Sequence, residues 1–390
     1  MTAASPVKNL FSNDRGYDKI SLGLLARKGL VPGMTASERL SEMLHLKGNT
    51  AVVIHDPANM FYLTEGYTGE GMVYLTAERR VVVTDFRYVE AASNTASGFD
   101  IVVTDHEHTQ AKRLAEMCAQ DGISEIRFES NRISVDDFEC LRSAVGEEVS
   151  WVPLNKAPQV LRQIKTAAEI VTMRKAGAIT SEAFEAVLGK IRPGMTEIEL
   201  RIELENIMYR LGADVPAFGT IIASGENGSL PHAVPGSRKL QKGDMITMDF
   251  GAQVGGYCSD MTRTVALGEP SAEMKKVYNT VLRAQSMCEA ALAAGKSCFE
   301  IDRLARDYID SQGYAGRFGH GLGHCVGIDI HEDPRLSPAS HDTLKAGMVI
   351  TVEPGVYLPG VGGVRIENTC LVKENGSEPL TTARKELVVL

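Results

Sequence analysis

The first third of the chain alternates between short apolar runs and longer amphipathic stretches. Short runs of β-branched and other apolar residues predict strands, and apolar positions three and four residues apart predict helices. The predicted strands are Thr50–Ile54, Met72–Thr76, Arg80–Thr84, Ile101–Thr104, Glu125–Glu129 and Val149–Val152. The predicted helices are Ala36–Leu46, Tyr88–Ser97, Thr109–Gln120 and Val135–Val145. This alternation predicts an α/β domain.

The rest of the chain repeats one order of elements at an interval of about a hundred residues. Each copy has a long helical pattern, a capping-box signature that opens a second helix, and a glycine that closes it. The capping boxes and their closing glycines are Thr196–Glu199 with Gly212 and Ser297–Glu300 with Gly313. Each helix pair is followed by two β-type runs. The pattern therefore predicts an internal duplication, with two similar halves forming one domain.

The β-type runs of the first copy carry two acidic residues. They lie in MITMDFGAQVGGYCSDMTRTV, residues 245–265. Gly255 and Gly256 suit a tight hairpin turn because both can adopt positive φ. With that turn, Asp249 would lie diagonally across the hairpin from Asp260, about 7–8 Å away at the backbone.

The second copy has the same design in GMVITVEPGVYLPGVGGVRIENTC, residues 347–370. We match Glu353 with Asp249, and Glu367 with Asp260, from the similarity of the two patterns. Two halves facing each other would bring the four acidic side chains to their common centre. Carboxylates held so close repel one another unless a cation or a proton intervenes.

Three histidines lie between the two hairpins, in GHGLGHCVGIDIHEDP, residues 319–334. We favour His324 over His320 as a metal ligand because glycines on both sides of its segment allow a close approach. Four carboxylates and one imidazole form a ligand set with enough donors for two divalent ions. A single acidic residue in a strand would instead be interpreted as a solvated side chain.

Composition narrows the class of protein. The formal net charge of −9 argues against sequence-independent nucleic-acid binding. Seven scattered cysteines without a C-x-x-C pair favour reduced thiols in a cytoplasmic protein. No apolar run is long enough to span a membrane, and the N-terminus lacks the apolar centre of a secretion signal. The predicted organisation is an N-terminal extension at residues 1–33, one domain at 34–155 and a second at 156–390.

The acidic and histidine motifs resemble those of the pita-bread metallopeptidases. The motifs are MDFG, YCSDMTRT, GHGLGHCVG, IHEDP, VEPGVY and VRIEN. The resemblance covers roughly residues 36–390 and is closest to the Xaa-Pro aminopeptidase and prolidase branch, which NMFYLTEGYTGEG, TDFRYVEAA and IASGENGSLPHAVP also resemble. It implies an α/β (α+β) protein with a creatinase-like N-terminal domain and a pita-bread catalytic domain that contains the pseudo-two-fold duplication.

The resemblance also implies a role for each ligand. Asp260 and Glu367 would bridge two divalent ions, Asp249 would bind one of them, and His324 with Glu353 would complete the other. Mn²⁺ is the expected metal, with Co²⁺, Zn²⁺ or Fe²⁺ as alternatives, because sites of this kind accept several metals according to availability.

Further residues take catalytic and substrate-binding roles by the same resemblance. Glu353 would accept a proton and pass it to the leaving amine. His232 and His331 would bind the substrate carbonyl and stabilise the tetrahedral intermediate. Arg335 would bind the free carboxylate of a dipeptide, and Tyr357 would line the substrate pocket. Arg365 lies two residues before Glu367 on the same strand face, so we expect it to pair with a ligand carboxylate at the substrate pocket; the alternative is a solvated surface arginine.

The expected activity is hydrolysis of the bond between an N-terminal residue and a following proline. The enzyme would be an aminopeptidase or a dipeptidase, and the resemblance implies a homodimer. A creatinase-like or lyase activity and a non-catalytic peptide-binding domain are the alternatives, but such relatives lose ligands that this chain keeps. Cys325 stands where glycine is commonest, and a thiol beside the metals would change metal preference or sensitivity to oxidation.

Overall fold

The computed structural model describes residues 33–390. This part of the chain divides into two compact units, one ending at Leu161 and the other spanning Arg162–Leu390. The segment assigned above to an N-terminal extension, residues 1–33, lies outside the described residues apart from Gly33.

The first unit contains a six-stranded mixed sheet. Its strands are β1 (Thr50–Ile54), β2 (Met72–Leu75), β3 (Arg80–Asp85), β4 (Asp100–Thr104), β5 (Glu125–Phe128) and β6 (Ser150–Pro153). Its helices are α1 (Ala36–Leu44), α2 (Pro57–Thr64), α3 (Val89–Thr95), α4 (Gln110–Gln120), α5 (Val135–Val145) and α6 (Ala157–Arg162), the last of which ends in the second unit. The strand order is β4-β3-β2-β1-β5-β6, antiparallel between β1, β2 and β3 and parallel elsewhere.

The central strand β1 shows why this unit forms an α/β sheet. All five of its residues are buried, as expected for a continuous apolar run covered on both faces. The α/β prediction for this region is confirmed, but the sequence patterns did not predict helix α2. Asp56 caps α2 through the backbone N–H of Asn59, and Pro57 occupies the first helical position, which favours proline.

The second unit contains both copies of the repeated pattern. The first copy comprises α7 (Ala167–Leu188), α8 (Glu197–Arg210), β7 (Val215–Pro216), β8 (Ile221–Ser224), β9 (Met245–Phe250), β10 (Ala252–Val254), β11 (Tyr257–Cys258) and β12 (Met261–Ala266). The second comprises α9 (Ala272–Ala291), α10 (Cys298–Ile309), β13 (Gly323–Cys325), β14 (Glu332–Leu336), β15 (Val349–Val352), β16 (Gly355–Leu358), β17 (Gly362–Arg365), β18 (Asn368–Val372) and β19 (Ser377–Pro379). Each copy has an apolar core formed mainly by its own helices and strands, and Met245 and Ala266 of the first copy also pack into the core of the second.

The helix starts follow the capping signals in part. Thr196 and Glu199 form a complete capping box at α8, with each side chain bonded to the other residue's backbone N–H. At α10, Ser297 accepts a hydrogen bond from the backbone N–H of Glu300, but the reciprocal bond is absent between these two described residues. The second capping box is therefore only half formed.

The first hairpin has the predicted register. Val254 lies opposite Tyr257, both turn glycines have positive φ, and Asp249 lies opposite Thr262. Asp249 and Asp260 are consequently diagonal neighbours on one face of the hairpin, as predicted.

The second hairpin corrects the match between the copies. The pairs Val352–Asn368 and Gly355–Arg365 set a register in which Glu353 lies opposite Glu367. Glu367 is therefore equivalent to Thr262 rather than to Asp260, and the equivalent of Asp260 is Arg365. The match of Glu367 with Asp260 was wrong because it followed the similarity of the motifs and not the pairing of the strands.

Candidate active site

The five predicted ligands line one cavity of about 270 Å³ in the second unit. Their positions follow from the strands. Asp249 lies in β9, Asp260 immediately before β12, and His324 in β13. Glu353 directly follows β15, and Glu367 directly precedes β18. Both acidic hairpins and the strand between them therefore point donor atoms into the same space.

The donor atoms are close enough to share ions. Asp249, Asp260 and Glu367 each offer an oxygen, and these atoms all lie within 4.8 Å of one another. The Nε2 atom of His324 lies 3.6 Å from Asp260 Oδ2 and 3.4 Å from Glu353 Oε1. The structure thus brings together all five residues that the sequence analysis singled out as ligands.

Burial makes this cluster costly without a cation. Asp260 and Glu367 are 5% and 1% exposed. Burial and the neighbouring carboxylates hold the pKa of both groups well above the usual range, and burial raises the pKa of Glu353 to about 8 against the charge of Arg365. Burial, helped by the nearby His331, lowers the pKa of His324 to about 3.

Two buried carboxylate oxygens without a hydrogen-bond donor among the described residues indicate whether the site fits metal ions. Within residues 33–390, the buried atoms Asp249 Oδ1 and Glu367 Oε1 accept no hydrogen bond. Buried oxygens of carboxylates are rarely left without a partner. A neutral imidazole beside such oxygens is the form of histidine that binds metals. The residues present therefore fit divalent cations.

Arg365 offsets part of the negative charge. Its Nη2 atom donates to Asp249 Oδ2 at 2.5 Å, and its Nε atom donates to the hydroxyl of Thr262 at 3.1 Å. Its Nη1 atom donates to the hydroxyl of Tyr357 at 3.0 Å. Arg365 also lines the cavity, as predicted for a residue beside the ligands.

Tyr357 does not line the cavity, which corrects the prediction for it. Its ring folds back over the backbone of its own hairpin, where Gly355 and Gly363 leave room; a Cβ atom at Gly355 would lie 2.5 Å from the tyrosine oxygen. The hydroxyl instead lies 2.8 Å from Nε2 of His320. Tyr357 therefore holds the Arg365 guanidinium by a hydrogen bond without lining the cavity itself.

His320 is a site residue to which the sequence analysis gave no role once His324 was preferred as the ligand. It lines the cavity, and its Nδ1 atom lies 2.8 Å from the carbonyl oxygen of Gly321. Since a carbonyl only accepts, Nδ1 carries the proton and Nε2 accepts from the Tyr357 hydroxyl. Burial, with the charge of Arg365, lowers the His320 pKa to about 4. Its position four residues before His324 was the available signal.

The two histidines predicted to be catalytic also reach the cavity. His331 lies with its ring centre 4.5 Å from that of His324, and His232 lines the cavity from a loop after β8. Arg335 lies opposite His324 in the pairing of β13 with β14, so both side chains are on one face. Within residues 33–390 the guanidinium of Arg335 forms no hydrogen bond or ion pair.

Cys325 points away from the site. The side chain of Cys325 is fully buried and packs in the apolar core of the second copy, although its neighbour His324 lines the cavity. Burial raises the pKa of its thiol well above the usual value. The expectation that this thiol lies beside the metals was wrong, because it considered sequence distance and not the direction of the side chain.

A buried ion network holds the loop that carries His331. The side chain of Glu332 accepts from Arg162 Nη2 at 2.5 Å, from Lys165 Nζ at 2.9 Å and from the backbone N–H of Ile328 at 3.1 Å.

Within the part of the chain that the structure describes, no helix is both long and apolar enough to cross a membrane.

Comparisons with known proteins agree with this geometry. Residues 171–374 match metallopeptidase family M24, and residues 37–164 match the creatinase/prolidase N-terminal domain. An uncharacterised peptidase of Bacillus subtilis (strain 168) is 39% identical over 90% of this chain and 99% of its own length.

Two solved structures show the same fold. A Xaa-Pro dipeptidase from Bacillus anthracis has a TM-score of 0.87 and 39% identity, covering 91% of this chain and 99% of that chain. An X-Pro aminopeptidase from Thermotoga maritima MSB8 has a TM-score of 0.83 and 34% identity, covering 90% and 99%. The creatinase-like domain followed by a pita-bread domain is therefore confirmed.

Proposed function

The chain belongs to metallopeptidase family M24, and we propose that it removes an N-terminal residue that precedes proline, acting above all on Xaa-Pro dipeptides. The convergence of five donors in one buried cavity carries this proposal, since it supplies the metal-binding chemistry that the family uses. Relatives named as Xaa-Pro dipeptidase and X-Pro aminopeptidase support the choice of substrate class.

We propose that Asp249, Asp260, His324, Glu353 and Glu367 hold two divalent ions, of which Mn²⁺ is the first candidate. Bound ions of this kind polarise the scissile carbonyl and make water a nucleophile near neutral pH. Glu353 lies at the cavity with one oxygen 3.4 Å from His324, where it can take a proton and return it to the leaving amine. His232 and His331 supply ring N–H groups for the substrate carbonyl and the tetrahedral intermediate.

The lining of the cavity supports a dipeptide with proline in second position. Phe218, Ile221 and Ile330 give it an apolar wall, which suits a proline ring. Arg335 lines the same cavity and has no carboxylate partner in residues 33–390, so it can bind the free carboxylate of a dipeptide in a bidentate manner.

Hydrolysis of two peptides by metal-stripped protein tests this proposal. Ala-Pro and Ala-Pro-Pro-Ala would be assayed with and without added Mn²⁺. We expect Mn²⁺-dependent cleavage of Ala-Pro. Arg335→Gln should raise the KM for Ala-Pro at least tenfold, whereas Arg303→Gln, at an exposed site on α10, should not. Mn²⁺-loaded protein that cuts neither peptide would refute the proposal, and cleavage of the tetrapeptide alone would assign an aminopeptidase.

We further propose a cytoplasmic homodimer. All seven cysteines are free thiols, and six of them are buried, which supports a reducing compartment. The family resemblance supports the dimer, and light scattering of the purified protein tests it.

A further inference from the structure

His232 depends on its loop for its position. The ring lines the cavity from residues 224–236, which we call the His232 loop. The residue is exposed, and within residues 33–390 its ring forms no hydrogen bond. The backbone of the loop must therefore set where the imidazole lies.

One buried carboxylate holds both ends of the His232 loop. Glu197, the first residue of α8, is 0% exposed. Its Oε1 atom accepts from the backbone N–H and the hydroxyl of Ser224 at 2.8 and 2.7 Å. Its Oε2 atom accepts from the backbone N–H of Gly236 at 3.1 Å. The side-chain amide of Asn227 donates to both oxygens at 3.1 and 3.2 Å.

Two further contacts fix the loop relative to the cavity. The backbone N–H of Ile198, at the start of α8, donates to the carbonyl of Gly236 at 3.2 Å. Arg365, which binds Asp249, donates to the carbonyl of Pro231 at 3.3 Å. Pro231, the residue before His232, is thus hydrogen-bonded to Arg365, and the two ends of the loop are hydrogen-bonded to Glu197.

The burial of Glu197 distinguishes it from an ordinary helix-start carboxylate. Glu199, in the same first turn, already caps α8 from an exposed position. A carboxylate needs no burial to stabilise a helix N-terminus, and burial is costly unless hydrogen bonds compensate for the lost water. The donors that compensate for the burial of Glu197 all belong to the His232 loop.

We propose that Glu197 is a positioning residue for the peptidase reaction, which keeps the His232 imidazole at the cavity by joining the two ends of its loop. The proposal rests on the proposed function in one respect, since it assumes that His232 acts on the substrate. Glu197→Gln is the direct perturbation. An amide cannot accept on both sides, so the variant loses at least one end of the loop.

Hydrogen–deuterium exchange tests the hold on the loop without any enzyme assay. We expect peptides covering residues 224–236 to exchange faster in Glu197→Gln than in the wild type. Glu199→Gln, which removes a charge from the same helical turn, should leave that exchange unchanged. Equal exchange in Glu197→Gln and the wild type would overturn the proposal.

A double-mutant cycle tests the effect on catalysis. Glu197→Gln should lower kcat/KM for Ala-Pro about 10- to 100-fold, as expected for a group misplaced by about 1 Å. In a His232→Ala background the same change should alter kcat/KM less than about twofold, because its effect passes through His232. Equal losses in both backgrounds, or faster exchange with unchanged kcat/KM, would overturn the positioning role.

Two outcomes need a separate measurement. If Glu197→Gln does not fold, Asn227→Ala replaces it in the double-mutant cycle. This change removes the two hydrogen bonds of Asn227 to Glu197 and leaves helix α8 unaltered, and the same outcomes support or overturn the proposal. If the wild type cuts neither peptide, the proposed function fails and the catalytic role of Glu197 fails with it. The exchange result then still decides whether Glu197 holds the loop.

Discussion

Removal of the negative charge of Glu332 should destabilise the second unit strongly. The carboxylate is paired with Arg162 and Lys165, whose side chains are 3% and 1% exposed. In Glu332→Gln, Arg162 keeps its bond to Asp329 at 2.8 Å, but Lys165 loses its carboxylate. The variant therefore leaves one buried ammonium group without a counter-charge.

The size of the effect follows from that one group. Breaking a buried ion pair so that one charge stays unpaired costs about 3–5 kcal/mol. The amide oxygen of the variant can still accept from the backbone N–H of Ile328, so we take the lower end, about 3 kcal/mol. For a unit of this size, 1 kcal/mol corresponds to about 2–4 °C, which gives a decrease in Tm of about 6–12 °C.

The pH dependence has a definite sign. Burial alone would raise the pKa of Glu332, but the charges of Lys165 and Arg162 hold it below the ordinary 4.5. A lowered pKa means that the ionised carboxylate stabilises the folded state above about pH 4.5, and that this contribution is lost as the pH falls through the folded-state pKa. The difference in Tm between wild type and Glu332→Gln should be complete at pH 7 and should shrink below pH 4.5.

Thermal unfolding of metal-free protein, followed by far-UV circular dichroism, measures this difference. Bound metal would add its own stabilisation, and the single tryptophan, Trp151, reports on the first unit. Glu185→Gln is the matched control, because the ion pair of Glu185 with Arg384 is exposed and should contribute less than about 1 kcal/mol. A Glu332→Gln variant that loses no more stability than this control would refute the reasoning.

Three further substitutions have distinct expected results. Asp260→Asn should raise the Tm of metal-free protein by relieving repulsion, yet lower the bound Mn²⁺ measured by elemental analysis; a lower Tm without metal would contradict this. Gly363→Ala should cost several kcal/mol in urea unfolding, because its Cβ would lie 2.1 Å from the carbonyl oxygen of Gly228, whereas Gly319→Ala, with no atom within 4 Å, should be neutral. Cys325→Ala should cost about 1 kcal/mol and leave the order of metal affinities unchanged in metal titrations; an altered order would place the thiol at the site.

The sequence predicted the first hairpin well because a two-residue turn fixes the register of both strands. The glycines at 255 and 256 therefore determined which side chains share a face, and the diagonal placement of Asp249 and Asp260 followed. Helix α2 was also predictable, since Asp56 and Pro57 are start signals, but its short apolar segment has no clear period.

Contacts between segments far apart in the chain could not be predicted from the sequence patterns. The partners of Glu197 lie at residues 224–236, and no local signal connects them with the start of α8. The ring of Tyr357 turns away from the cavity because Gly355 and Gly363 leave space for it, which only the paired hairpin shows. Both features depend on packing, and no periodic pattern or residue spacing in a single sequence reveals such packing.

The two copies of the duplicated fold carry different charges at equivalent positions. This difference explains why the similarity of the motifs led to the wrong match of Glu367 with Asp260. At equivalent positions the first hairpin has Asp260 and Thr262, and the second has Arg365 and Glu367. A symmetric arrangement would either leave four carboxylates without an arginine or put a second arginine into the cavity. The observed one pairs Arg365 with Asp249 and lets Thr262 donate to Glu367 at 2.7 Å. Each half therefore supplies the partner that the other half's ligand needs.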